Sequence, residues 1–238
     1  MVMSNQRKKD EIDIEDLRKK VSQIFHQGMS NLEYEKPIKK IESIIKKYPQ
    51  VIDEQRLLNL ATLYDHQAFT EKTTKKRLEY ENKAIKICQG VIKKNGDSVH
   101  TAYALWGIGR VWWHRKNRKA IIYAKQADRM MRKVTKGEEG MPLSVAVVYD
   151  ILGNYRRAEY WYLKTIKETD DKFGVYFDLL SFYFEQKRYK KVYDILPITK
   201  KLYSKFPEEF KKTKTGKIWL KRLNEIESIT KSSFFGGG

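Results

Sequence analysis

The sequence predicts an all-helical protein, and three observations carry that prediction. Long stretches place apolar residues three and four positions apart, with Lys, Glu and Arg between them, which is the period of an amphipathic helix. Only 13 Gly and 5 Pro occur among 238 residues, so helix breakers are rare. Strand alternation joined by Asn-Gly or Asp-Gly turns does not appear. Apolar residues make up 41% of the chain, which excludes wholesale disorder.

An internal repeat organises these helices. The segment 145–165 places Ala146, Tyr149, the Gly153-Asn154-Tyr155 turn, Ala158 and Tyr162 at helical spacing. A shift of 34 residues returns the same phases in segment 179–199, at Leu180, Tyr183, Tyr189, Val192, Leu196 and Thr199. The same pattern starts near Ile24, and versions with less regular boundaries start near Leu60 and Leu105. Repeats of this length indicate stacked helical hairpins.

This pattern resembles the tetratricopeptide repeat, an antiparallel helix pair of 34 residues. The resemblance covers residues 14–205 in five pairs and implies a right-handed alpha-alpha superhelix, a solenoid. Residues 206–231 read as an amphipathic capping helix, with apolar positions at Ile218, Trp219, Leu223 and Ile226. Residues 1–13 and 232–238 are predicted to be flexible. Pro197 falls inside a predicted helix, where we expect a kink, and segment 66–77 reads as a loop or a helix extension.

In tetratricopeptide arrays the first helix of each pair lines a concave groove, and the resemblance assigns this chain's groove residues by helical phase. They are Lys19, Gln23 and His26; Gln55, Asn59 and Thr62; Tyr103, Trp106, Arg110 and Trp113; Ser144, Val147 and Asp150; Asp178 and Ser181. Amides and aromatics at these positions suit an extended peptide. Trp106 and Trp113 also have core-like spacing, so packing between repeats is the competing interpretation. A clamp for a C-terminal carboxylate lacks a clear lysine and second asparagine.

The charge is strongly basic and regional. The formal net charge is +19, and region 71–137 carries 18 Lys and Arg against 5 Asp and Glu. Such a field attracts acidic proteins or nucleic acid. A candidate basic patch lies around Trp112 and Trp113, although a solvated outer face is the plainer interpretation. Its members are Arg115, Lys116, Arg118, Lys119, Arg129, Arg132 and Lys133.

Catalytic and metal-binding patterns are absent from the sequence. The four histidines have no metal-ligand spacing, and Cys88 is the single cysteine, at a packing phase where we expect a buried thiol. We therefore expect no enzyme, no cofactor and no membrane insertion, with a cytoplasmic location. The favoured function is a protein-interaction adaptor that binds a peptide segment or an acidic partner in the groove. The alternatives are an RNA- or DNA-associated helical-repeat protein using region 71–137, or a peptide-sensing regulator.

Overall fold

The protein is all-helical over the part that the structure describes. The computed structural model describes residues 13–235, which form twelve α-helices and a short 3-10 turn at Pro49–Val51, with no strand among them. The predicted flexible N-terminus, apart from Asp13, lies outside the described residues. The helices are α1 (Ile14–Asn31), α2 (Glu35–Lys47), α3 (Glu54–Thr70), α4 (Thr74–Asn95), α5 (Val99–His114), α6 (Lys119–Val134), α7 (Pro142–Ile151), α8 (Tyr155–Glu168), α9 (Lys172–Glu185), α10 (Tyr189–Ser204), α11 (Glu208–Lys212) and α12 (Lys214–Phe235).

Local sequence explains where several helices begin. Asp13, Asp53 and Ser98 stand before α1, α3 and α5, and each side chain accepts a hydrogen bond from a free backbone N–H of the first turn. Pro142 occupies the first position of α7, where its missing N–H costs nothing. Gly153, with φ of +74°, makes the tight turn between α7 and α8.

The helices pair and stack in chain order. Each odd-numbered helix from α1 to α9 packs against the even-numbered helix that follows it, and α1, α3, α5, α7 and α9 contact one another in succession. Alanines that are fully buried, such as Ala104, Ala124, Ala146 and Ala158, let these helices approach closely. The buried apolar residues form two adjoining clusters, one in each half of the chain, and Trp112 packs against both.

The C-terminal helix differs from a simple cap. Trp219 of α12 lies 4.9 Å from Phe173 and 5.3 Å from Phe210 between ring centroids, which fixes α12 on the end of the array. At the start of α12, the Thr215 hydroxyl donates a hydrogen bond to the backbone carbonyl of Ser30 at 3.0 Å. The helix α12 therefore also contacts α1. The last helix therefore joins the two ends of the stack, which repeat spacing alone did not predict.

Three details refine the expected boundaries. The helix α12 continues to Phe235, into the predicted flexible tail, because no glycine or proline interrupts it before Gly236. Segment 66–77 is largely helical, since α3 runs to Thr70 and α4 begins at Thr74. Pro197 lies within α10 on an exposed face, and the helix runs on to Ser204. None of the described helices is sufficiently long and apolar to cross a bilayer.

Close helix approach can be tested at Gly28 of α1. A Cβ atom at Gly28 would lie 2.8 Å from Cγ of Pro37 and 3.0 Å from the carbonyl oxygen of Glu33. We expect Gly28→Ala to lower the free energy of unfolding by about 1–3 kcal/mol, because α1 and α2 must separate. Urea denaturation measures this change.

Gly90 on α4 provides the matched control. A Cβ atom there meets no other atom within 4 Å. We expect Gly90→Ala to raise the free energy of unfolding by about 0.5–1 kcal/mol through helix propensity alone. A neutral or stabilising Gly28→Ala would contradict the close contact of α1 with α2.

Candidate functional site

An open pocket lies along the row of odd-numbered helices. It has a volume of about 630 Å³ and is bounded chiefly by α5, α7 and α9, together with the loop before α7. The segment that closes one side runs from Glu139 to Met141, and Asp128 holds it by accepting a hydrogen bond from the Met141 N–H at 2.7 Å. A second depression of about 380 Å³ adjoins it between α3 and α5. Together the two form one groove.

The structure brings most of the predicted groove residues together. The main pocket is lined by the predicted residues of the third, fourth and fifth pairs: Tyr103, Trp106, Arg110, Trp113, Ser144, Val147, Asp150, Asp178 and Ser181. The adjoining depression is lined by Gln55, Asn59 and Thr62, and it shares Tyr103, Trp106 and Arg110 with the main pocket. The predicted residues of the second to fifth pairs therefore lie on one continuous surface, which four helices form.

The predicted residues of the first pair lie elsewhere. Lys19 is exposed on α1, where its ammonium lies 3.6 Å from the carboxylate of Asp16. Gln23 lines a separate cleft between α1 and α2, and His26 is exposed against Phe25. The groove that the structure forms thus begins at α3.

The tryptophans serve both packing and the pocket wall. Trp106 and Trp113 are half-buried, pack against the core of the second half of the chain, and also line the pocket. Trp113 stacks on His114 with ring centroids 4.8 Å apart. The competing interpretations from the sequence are therefore compatible, because each tryptophan both packs against the core and lines the pocket.

One end of the pocket contains a buried ion-pair network. The Arg110 guanidinium lies 2.6 Å from the carboxylate of Asp65, and His114 Nε2 lies 3.3 Å from the same carboxylate. Burial opposes ionisation of Asp65, but Arg110 and His114 outweigh it and lower its pKa. His66, 2.9 Å from Arg110, has its pKa lowered to about 4 by burial and by Arg110, so its ring is neutral at pH 7. The ion pair with Asp65 therefore fixes the position of the Arg110 side chain at the pocket wall.

The opposite end is acidic. Asp150 on α7 and Asp178 on α9 lie in the pocket together with the Tyr162 hydroxyl, which is 3.4 Å from Asp150 Oδ2. Among the described residues, no hydrogen bond or ion pair reaches the largely buried carboxylate of Asp178. Burial and the charge of Asp150 raise the pKa of Asp178 to about 7, and burial and Glu185 raise the pKa of Asp150 to about 6. At one end of the groove, the charge of Arg110 is therefore balanced by Asp65. At the other end, the carboxyl groups of Asp150 and Asp178 have no cation within the described part of the chain to balance them.

The candidate basic patch is partly neutralised. Arg115 pairs with the buried Glu81 through its Nε at 2.9 Å, and its guanidinium lies over Trp112. Arg132 bridges Asp128 at 3.2 Å and Glu168 at 2.6 Å. Lys133 pairs with Asp97, and the Lys119 ammonium lies 4.7 Å from the ring of Trp112. Lys116, Arg118 and Arg129 are exposed.

Sequence reasoning missed the buried carboxylates Asp65, Glu81 and Asp128, and Glu185 at the pocket edge. A signal existed for Glu81, because it lies on the same helical phase as Ala84, Cys88 and Val91. Cys88 itself is buried, as predicted, and burial raises the pKa of its thiol to about 12. Within residues 13–235, no group of three His, Cys, Asp or Glu has an arrangement that could hold a metal ion.

Comparison with known proteins adds no family. No protein-family model matches the chain, and no curated protein matches it at a significant level.

The raised pKa of Asp178 predicts a pH-dependent stability. An acid whose pKa is higher in the folded state than in the unfolded state destabilises the fold as the pH rises through the interval between the two values, here from about 4 to about 7. At pH 8 we expect Asp178→Asn to raise the free energy of unfolding by about 1–3 kcal/mol, since an amide avoids burying a charge. At pH 4 the difference should vanish. Urea denaturation at pH 4, 6 and 8 measures it, and an equal effect at all three pH values would refute an unpaired carboxylate.

The ion pair of Glu81 predicts a structural role for Arg115. We expect Arg115→Met to lower the free energy of unfolding by about 1–3 kcal/mol, because it leaves a buried carboxylate unpaired. Arg118→Met, three residues away and exposed, should change it by less than about 0.5 kcal/mol. Thermal denaturation of both variants makes the comparison. Equal stability of the two would mean that Glu81 does not depend on Arg115.

Proposed function

We propose that this chain is a tetratricopeptide-like array of five helix pairs, coiled as a right-handed superhelix and completed by α12. In this proposal it is a cytoplasmic, non-catalytic adaptor that binds a peptide segment of another protein in its groove. The stacking of α1, α3, α5, α7 and α9 in one row supports the array, because first helices contact one another in that way in the repeat family that the sequence resembles. The 34-residue register of the last two pairs supports it independently.

The observation that carries the binding function is the groove on α3, α5, α7 and α9. Its main pocket is concave, has aromatic side chains on its walls and contains a few polar groups, which is typical of sites that hold a ligand in one orientation. Tyr103 is 44% exposed at the junction of the two parts of the groove, so an aromatic ring is available to a partner without loss of core packing. Rings of this kind commonly dominate the binding energy of an interface.

The net charge of +19 adds a long-range electrostatic attraction for acidic partners. A basic surface attracts acidic partners and raises their association rate at low ionic strength, whereas the shape of the groove selects among them. Nucleic acid is the less supported partner, because Arg115, Arg132 and Lys133 of the basic patch are engaged in ion pairs within the chain. Binding to nucleic acid would weaken steeply as salt increases, with a slope set by the number of phosphate contacts.

Two exposed tyrosines test the groove directly. Peptides are first selected from a random phage-displayed library on the immobilised chain, and their dissociation constants are measured by fluorescence anisotropy. We expect Tyr103→Ala to weaken the selected peptides by at least about tenfold, because an aromatic contact at the centre of the groove is lost. Tyr160→Ala is the matched control, since Tyr160 is 62% exposed on α8 and lines no part of the groove.

Circular dichroism should be the same for both variants and the original chain. Selected peptides that respond equally to both substitutions, or a library that yields no peptide at all, would contradict the proposed function.

A further inference from the structure

Buried carboxylates in this chain are normally paired with cations. Asp65 is paired with Arg110, Glu81 with Arg115, and Asp128 with Arg132. Glu159 is held by Arg188 and Lys191, whose hydrogen bonds, together with one from Tyr183, overcome the effect of burial and lower its pKa to about 2. A chain with 49 Lys and Arg has no shortage of cations for this purpose.

Asp150 and Asp178 depart from that pattern. The Asp178 carboxylate has no hydrogen bond or ion pair within residues 13–235, and the Asp150 carboxylate has only the long contact with the Tyr162 hydroxyl. Burial raises the pKa of both carboxyls, and a neighbouring carboxylate raises each further, Asp150 in the case of Asp178 and Glu185 in the case of Asp150, so the nearby charges repel and do not compensate. Glu185 at the pocket edge does have a cation beside it, since the Arg222 guanidinium of α12 lies 3.5 Å from its carboxylate. A buried charge without a partner destabilises a fold, and such groups concentrate at functional sites.

The surroundings define what kind of ligand would complete the site. Both carboxylates face an open pocket and not a closed cavity, so a group from outside can reach them. Phe182 and the Trp113 ring also line the pocket, and aromatic faces favour a cation over a neutral polar group. The Trp113 indole N–H is buried and has no acceptor within the described residues.

We propose that the Asp150–Asp178 end of the groove is the binding site for a cationic side chain, arginine or lysine, of the bound peptide. This inference rests on the proposed function and adds the residue class that anchors the peptide. A guanidinium or ammonium placed between the two carboxylates forms the ion pairs that the chain itself lacks. The overall field of the protein then attracts acidic partners, while this one position selects for a local basic residue.

Three small probes test the site without a known partner. They are the N-acetyl, N-methylamide derivatives of arginine, lysine and citrulline, where citrulline keeps the shape of arginine and lacks its charge. Each is titrated at pH 8 into the isotopically labelled chain. NMR follows the amide resonances of Asp150, Asp178 and Ser181 and the side-chain carboxyl resonances of the two aspartates. We expect the arginine and lysine derivatives to bind at least tenfold more tightly than the citrulline derivative and to shift these resonances.

Substitutions locate the effect. Asp178→Asn and Asp150→Asn should each reduce the preference for arginine over citrulline by at least fivefold. Asp194→Asn is the control, because Asp194 is an exposed aspartate of α10 that lines none of the pockets described above, and it should leave the preference unchanged. If an Asn variant fails to fold, the comparison of arginine with citrulline on the original chain still decides the matter.

The outcomes separate this inference from the proposed function. Equal binding of the arginine and citrulline derivatives would overturn the cation site. Peptides selected on the groove would in that case still support the proposed peptide-binding function. Spermidine that binds tenfold more tightly than the arginine derivative would overturn a peptide side chain as the ligand. Arginine-dependent shifts at Asp178, combined with a library that yields no peptide, would support a cation site and remove the peptide-binding function.

Discussion

The close approach of neighbouring helices is the constraint on which the rest of this structure depends. Ala104, Ala124, Ala146 and Ala158 are completely buried, and a larger side chain at any of them would separate two helices. Because every pair is packed this tightly against the next, α3, α5, α7 and α9 lie in one row. That row creates the groove, and it also fixes the distance between side chains on successive helices. A partner bound in this groove, as proposed above, would therefore meet a preformed surface.

The same packing decides which charges are compensated. Helices in contact bring Asp65 to Arg110, Glu81 to Arg115 and Glu159 to Arg188, each across more than twenty residues of sequence. These ion pairs link neighbouring helices, and breaking one of them leaves a buried charge behind. Asp150 and Asp178 line the pocket from adjacent helices without such a cation among the described residues, and the charge of Asp150 raises the pKa of Asp178 further. The unpaired carboxylates lower the free energy of unfolding, and a bound ligand that supplies a cation would raise it again.

The sequence was sufficient for the helical class and for most of the groove. Apolar spacing predicted the helices, and the phase of each first helix placed Tyr103, Trp106, Asp150 and Asp178 on one surface, because helical phase is a local property. It was not sufficient for the first pair, whose Lys19 and Gln23 lie apart from the groove, nor for the contact of α12 with α1. Both depend on how many pairs stack and how far the stack turns, which no local pattern encodes. The partners of the buried carboxylates were missed for the same reason.

The most direct measurement is a crystal structure of the chain with a peptide selected on it. We expect an extended peptide along α5, α7 and α9, in contact with Tyr103 and Trp106, with a lysine or arginine nitrogen within about 3 Å of the Asp178 carboxylate. A peptide bound instead on the outer faces of α6, α8 and α10, or across the basic patch, would contradict it.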